Sequence, residues 1–154
     1  MWRADGPERG FTLIEMLLVV AISITISGMA IPAYIEALNR ARVVRAIADI
    51  RSFDTEIRRF DIAKNRFPDD LAEAGIIGRL DPWGRPYEYL RILGGKKGKG
   101  GVRKDHKLNP INADFDLYSM GRDGDTQVQI TNKDSLDDVI RANDGGFIGV
   151  ARDF

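Results

Sequence analysis

Residues Arg9–Glu15 read RGFTLIE and run directly into MLLVVAISITISGMAIPAYI at Met16–Ile35. The second string carries no charged side chain over twenty residues. As a helix at about 1.5 Å per residue it would extend roughly 30 Å, the thickness of the hydrocarbon core of a bilayer. The pattern therefore predicts a transmembrane helix with the acidic Glu15 near its start.

An acidic side chain in this place needs a partner. An ionised carboxylate costs roughly 2.5 to 3.5 kcal/mol at the bilayer centre and less near the interface. No cation lies next to Glu15 in the sequence. The alternative interpretation is a polar residue that snorkels to the headgroups of a plain signal anchor.

The segment Met1–Gly10 mixes both charges, ends on glycine and is typical of a leader peptide. An ordinary secretory signal is cut after its apolar region, whereas here the small residue Gly10 precedes that region. A cut after Gly10 would leave the apolar helix on the mature protein.

The order of basic residue, glycine, phenylalanine, Thr-Leu-x-Glu and apolar helix resembles the prepilin leader of type IV pilins and type II secretion pseudopilins. The resemblance implies that a prepilin peptidase cuts between Gly10 and Phe11 and that the new Phe11 amine is methylated. It implies that this amine pairs with Glu15 of a neighbouring subunit. It also implies that the helix unwinds on assembly near Pro32, where proline removes one backbone hydrogen bond.

Composition limits the remainder to one small soluble domain, because only about 90 residues follow the helical region. The chain has 23 Lys plus Arg and 23 Asp plus Glu, so no net field steers it toward nucleic acid, and no nucleic-acid partner is expected. Cysteine is absent. For a small extracytoplasmic domain this favours a metal over a disulfide as the device that holds its loops.

An apolar stripe continues the helix beyond the membrane run. Its members recur every seven positions, at Val43, Ile50 and Ile57 and, offset by three, at Ala46, Phe53 and Phe60. We interpret the stripe as packing on the chain's own sheet, with a two-helix coiled coil as the alternative. The helix is predicted to end between Asn65 and Pro68, since a residue before proline disfavours the helical conformation.

Several short elements are predicted for the head. Asp70–Glu73 has capping-box spacing and Gly75 suits a C-terminal cap, which predicts a short second helix. The string DPWGRPYEY at Asp81–Tyr89 begins as a turn and leads into a strand that extends to Leu93. A final strand is predicted within Gly145–Val150. The DPWGRPY string resembles a motif of the major pseudopilin, called the G subunit, of type II secretion systems.

The loop Gly94–Lys107 is rich in glycine and cations. A phosphate-binding loop is excluded because no Gly-Lys-Ser/Thr occurs and no helix start follows. A solvated hairpin connection is predicted, longer than the corresponding stretch expected in the G pseudopilin. A surface role for its cations toward acidic neighbours or lipid headgroups stays open.

The string DFDLYSMGRDGD at Asp114–Asp125 predicts a strand followed by an acidic loop. Asp123 and Asp125 flank a glycine, a spacing that lets carboxylates converge on a hard cation such as calcium. The full EF-hand pattern is absent. The alternative is that these aspartates and glycines only make turns.

The acidic string also resembles the calcium loop of the G pseudopilin. That resemblance implies calcium ligands at Asp123, at the backbone oxygen of Met120 and at the pair Asp137 and Asp138. Asp125 is a further candidate because of its spacing from Asp123. Catalysis has little support, because the only histidine, His106, lies in the basic loop without a motif-level nucleophile beside it. We expect no enzymatic activity.

These motifs predict an α+β protein, and the resemblance implies a type IV pilin-like fold. A long N-terminal helix, first membrane-spanning and then amphipathic, packs on a small antiparallel sheet with a C-terminal ligand loop. The predicted divisions are a leader at 1–10, a transmembrane assembly helix at 11–35, its amphipathic continuation at 36–66 and a periplasmic head at 67–154.

The resemblance implies a structural subunit of a pseudopilus that polymerises from the bacterial inner membrane to drive type II secretion. The implied partners are further copies of the chain, minor pseudopilins or pilins, the prepilin peptidase, an inner-membrane platform with its ATPase, and membrane lipid before assembly. The alternatives are a type IV pilin or minor pilin of a surface fibre, and a signal-anchored binding domain that never polymerises.

Overall fold

The computed structural model describes residues 10–95 and 101–154. The chain divides into two compact units, Met1–Leu38, described from Gly10 onward, and Asn39–Phe154. The predicted leader, apart from Gly10, and residues 96–100 of the basic loop lie outside the described residues.

One helix, α1, extends from Leu13 to Lys64 over 52 residues. It is not interrupted at Pro32. Asn65, with a positive φ of 54°, ends the helix, and its N–H donates to Asp61 O at 2.7 Å. Asparagine tolerates this left-handed conformation and therefore suits a helix C-terminus. The helix ends one residue before the predicted range.

The predicted apolar stripe is the helical side of the core. Ala46, Ile50, Phe53 and Ile57 are fully buried and pack with residues of the head's own strands and loops. Burying one large apolar side chain contributes about 1.5 to 3 kcal/mol. The stripe thus packs on the chain's own sheet, as interpreted, while Val43 and Phe60 at its ends are only partly buried.

Four strands form one antiparallel sheet in the order β1-β2-β3-β4. Their bounds are β1 Glu88–Arg91, β2 Phe115–Ser119, β3 Val139–Ala142 and β4 Phe147–Val150. Three of them fall in predicted strand regions, whereas β3 was not predicted. The predicted class, a long helix packed on a small antiparallel sheet, is confirmed.

The sheet is covered on both faces. Phe115 and Leu117 of β2 belong to the cluster that includes α1. Ile140 and Ala142 of β3 belong to a second, smaller cluster, whose other buried members lie outside the strands. Because β3 is buried along its whole length, it lacks the polar–apolar alternation that signals a half-exposed strand.

The predicted short helix after Pro68 is wrong, since residues 71–75 form turns. The capping interactions nevertheless exist: Glu73 N–H donates to Asp70 Oδ1 at 2.8 Å, and Asp69 N–H donates to Glu73 Oε2 at 2.7 Å. Gly75 has φ +85°. Cap and terminator are too close together to leave room for a second helical turn.

Candidate functional site

The start of α1 is a reciprocal cap between Thr12 and Glu15. Glu15 Oε2 accepts hydrogen bonds from Thr12 N–H at 2.7 Å and from Thr12 Oγ1 at 2.9 Å. Glu15 N–H donates to Thr12 Oγ1 at 3.3 Å. This capping box satisfies orphan donors and places the carboxylate at the positive end of the helix dipole. Both residues and the preceding Phe11 are exposed.

The segment that follows Glu15 is exposed on every side. It contains a window long and apolar enough to cross a membrane, and none of that window is buried. Its polar side chains bond to the helix backbone, with Ser23 Oγ donating to Val19 O at 2.7 Å and Thr25 Oγ1 to Ala21 O at 2.9 Å. Satisfying hydroxyl groups within the helix is what an apolar surrounding requires.

A second constellation begins with the turn Asp81–Gly84. The buried Asp81 carboxylate accepts hydrogen bonds from the N–H groups of Trp83 at 3.0 Å and Arg85 at 2.8 Å. Its other oxygen accepts from Ser119 Oγ at 2.6 Å. The DPWGRPY and DLYSMGRDG strings are therefore in direct contact.

Arg85 extends this contact into the acidic loop, which we define as Met120–Asp138. Arg85 Nη1 donates to Gly121 O at 2.9 Å, and Nη2 donates to Asp123 O at 3.2 Å. Gly124 has φ +80°, and a Cβ there would overlap the guanidinium. Sequence reasoning did not identify Arg85, although its place inside the quoted motif was a signal.

Three of the predicted calcium-ligating positions bond to protein N–H groups. Met120 O accepts from Gly124 N–H at 3.2 Å, and Asp123 Oδ1 accepts from Asp125 N–H at 2.9 Å. Asp137 Oδ2 accepts from the N–H groups of Arg122 at 2.7 Å and Asp123 at 3.1 Å. Asp123 and Asp137 are thus neighbours, while Asp125 is exposed.

Asp138, the remaining predicted ligand, is fully buried beside the buried Arg103. Its Oδ2 accepts from Arg103 Nη2 at 2.5 Å and Thr126 Oγ1 at 2.7 Å, and its Oδ1 has no hydrogen-bond partner. Burial raises the pKa of Asp138 to about 6, although Thr126 and Arg103 favour the ionised form. Arg103 belongs to the basic loop, so the prediction that this loop is solvated is wrong at Val102 and Arg103.

The described residues do not form a calcium site as placed. No three His, Cys, Asp or Glu side chains among residues 10–95 and 101–154 are grouped to hold a metal. Protein donors bond to the oxygens of Met120, Asp123 and Asp137, and a guanidinium faces Asp138. Calcium binding by this loop stays a prediction.

The buried Arg141 connects α1 to the sheet, and no sequence motif predicted this role. Arg141 is fully buried in β3, with Nε donating to Asp54 Oδ1 and Nη2 to Asp114 Oδ2, both at 2.6 Å. Its guanidinium lies 3.9 Å from the centre of the Phe115 ring. The only local signal was a charged residue within an apolar string.

One cleft of the described head lacks a catalytic arrangement of side chains. This cleft of about 660 Å³ is lined mainly by apolar side chains and backbone, with Lys104 and Asp144 as its charged residues. No histidine or hydroxyl side chain is among the lining residues. His106 is exposed elsewhere in the loop.

The long helix with an apolar first half, the capping Glu15 and the four-stranded antiparallel sheet define a type IV pilin-like α+β protein. Residues 6–31 match the family model for the prokaryotic N-terminal methylation motif.

The chain is similar to the type II secretion system core protein G of Pseudomonas aeruginosa, with 28% identity over 76% of this chain and 85% of that protein. The core protein G of Escherichia coli is 26% identical over 84% and 94%. A fimbrial protein of Neisseria meningitidis is 27% identical over 57% and 52%. No solved structure matches the chain at a significant level. The predicted resemblance to prepilin-type proteins and G pseudopilins is confirmed.

Proposed function

We propose that this protein is a structural subunit of a pseudopilus that polymerises from the bacterial inner membrane and drives type II protein secretion. The observation that carries the proposal is an exposed apolar helix that starts directly behind the Gly10-Phe11 junction with a capped Glu15. The similarity of the chain to core protein G, which extends over most of both proteins, supports the same function.

The proposed life cycle begins in the membrane. The apolar half of α1 spans the inner membrane, with the head in the periplasm. A prepilin peptidase cuts between Gly10 and Phe11, and the new amine is methylated. The platform and its ATPase then move the subunit from lipid into a filament of identical copies, to which minor pseudopilins add.

Glu15 is the proposed register element of assembly. In the single chain its carboxylate bonds only to its own Thr12 among the described residues. A methylated Phe11 amine of the next subunit would offer a full positive charge, which a carboxylate surrounded by apolar side chains favours over neutral donors. Only a staggered arrangement of subunits brings the two groups together.

The test is assembly of Glu15→Val in a bacterium that carries a type II secretion system. The variant should insert, be processed and fold, yet yield few filaments by electron microscopy and little cysteine crosslinking between neighbouring helices. Thr25→Val is the matched control, because it also removes a polar group from the apolar segment. Wild-type filament yield from Glu15→Val would refute the register role.

A surface fibre built from a type IV pilin or minor pilin is the second candidate, supported by similarity to the fimbrial protein over part of the chain. Cell fractionation separates the two. Filaments sheared from the cell surface at normal expression favour the pilin, whereas material retained in the periplasm with loss of exoprotein secretion on deletion favours the pseudopilin. A chain that never crosslinks to itself would support a monomeric signal-anchored domain.

A further inference from the structure

We propose that the guanidinium groups of Arg85 and Arg103 hold the acidic loop in place of a metal ion, so that the head is stable without calcium. The proposal concerns the folded head alone. It does not depend on whether the chain assembles into a filament.

Arg85 occupies a cradle made by the loop backbone. Two of its nitrogens donate to the carbonyl oxygens of Gly121 and Asp123, which are ligand types that calcium also uses. Gly124 permits this approach, because a Cβ at that position would overlap the guanidinium. The backbone at the first turn of the loop therefore binds the Arg85 guanidinium as its cation.

Arg103 supplies the second charge at the other end of the loop. Its side chain is 2% exposed and that of Asp138 is 0% exposed, with Nη2 and Oδ2 2.5 Å apart. Arg103 Nη1 also donates to Thr126 Oγ1 at 2.5 Å, and the guanidinium lies 4.2 Å from the centre of the Tyr118 ring. Asp138 therefore already has a fixed cation.

A calcium ion bound to Asp138 would be repelled by the Arg103 guanidinium. Calcium binds oxygen at about 2.3 to 2.6 Å, so the ion would lie within roughly 5 Å of a like charge in a buried place. Oδ1 of Asp138 is buried without a hydrogen-bond partner. One such oxygen beside a guanidinium falls far short of the six to eight that calcium takes.

The test uses the full chain in detergent micelles, melted in millimolar calcium or in EDTA. We expect the same melting temperature for the wild type in both. A calcium site at hundredfold excess over its Kd would instead raise that temperature by roughly 8 °C. Such a rise would overturn the proposal.

The variants test the arginines directly. Arg85→Gln should lower the melting temperature by several degrees, equally in calcium and EDTA, and should speed tryptic cleavage after Arg122. Arg122→Gln, which removes an exposed arginine from the same loop, is the matched control for melting. Arg85→Gln melting like this control would contradict the proposal. Arg103→Gln should likewise lower the melting temperature equally in calcium and EDTA. If this variant fails to fold, the wild-type comparison and Arg85→Gln decide.

Discussion

Ser119 Oγ donates a 2.6 Å hydrogen bond to the buried Asp81 carboxylate, although 38 positions separate the two residues. This contact joins the DPWGRPY turn to the end of β2. It also orients Arg85, whose N–H donates to the same carboxylate at 2.8 Å. The DPWGRPY and DLYSMGRDG strings thus form one structural unit.

Asp81→Ala should lower the free energy of unfolding by about 2 to 4 kcal/mol. The substitution leaves the Ser119 hydroxyl and the N–H groups of Trp83 and Arg85 without their acceptor. Urea unfolding followed by tryptophan fluorescence measures the loss. Asp153→Ala removes an exposed carboxylate and should change the same quantity by less than about 0.5 kcal/mol. Equal stability of the two variants would show that the contact contributes little.

Arg141→Met should destabilise the head by about 3 to 5 kcal/mol, because it removes the buried cation and leaves Asp54 and Asp114 with only Arg58, at 3.0 and 3.6 Å, as a charged partner. Replacing both acids by Asn in the same chain should recover part of the loss, since the two negative charges that lost Arg141 are then removed. Arg59→Met, at an exposed position of α1, is the control. A triple variant no more stable than Arg141→Met would contradict this account.

The stability of the segment after α1 should depend on pH through the ionisation of Glu73. Hydrogen bonds from Arg66, and then from Asp69 N–H, lower the pKa of Glu73 to about 2. Because the folded-state pKa lies below the unfolded value of about 4.5, the stabilisation is complete above pH 4.5 and is lost as the pH falls toward 2.

The carboxyl carbon-13 shift of Glu73 measures this titration directly. Arg66→Gln should raise the midpoint toward 4.5, whereas Arg59→Gln should leave it unchanged. A midpoint near 4.5 in the wild type would show that the ion pair does not form in solution.

Gly10→Val should block removal of the leader, because the valine side chain fills the space next to the scissile bond. Among the described residues a Cβ at Gly10 would meet nothing within 4 Å, so we expect the substitution to act on the peptidase contact rather than on folding. Intact-mass measurement of membrane-extracted protein gives the result. Gly28→Ala, at another open position, should be cleaved normally. Cleavage of Gly10→Val would contradict the predicted junction.

Local patterns predicted the helix and most strands because each is a short-range signal. The heptad repeat identified Ile50, Phe53 and Ile57 as the buried stripe, and proline spacing gave the helix end to within one residue. The strand β3 was missed because its Arg141 breaks an apolar run that is buried on both faces. The short helix was overpredicted because capping-box spacing also fits a turn.

The sequence by itself determined that α1 begins with an apolar segment of membrane-spanning length, because that signal is contained in 35 consecutive residues. Only the tertiary structure decided which residues bind the acidic loop. Arg85 donates to backbone carbonyls of this loop and Arg103 pairs with Asp138, and both arginines come from outside the loop. Electrostatic partners depend on distance in space, and sequence spacing carries no record of which cation folds back to meet an aspartate.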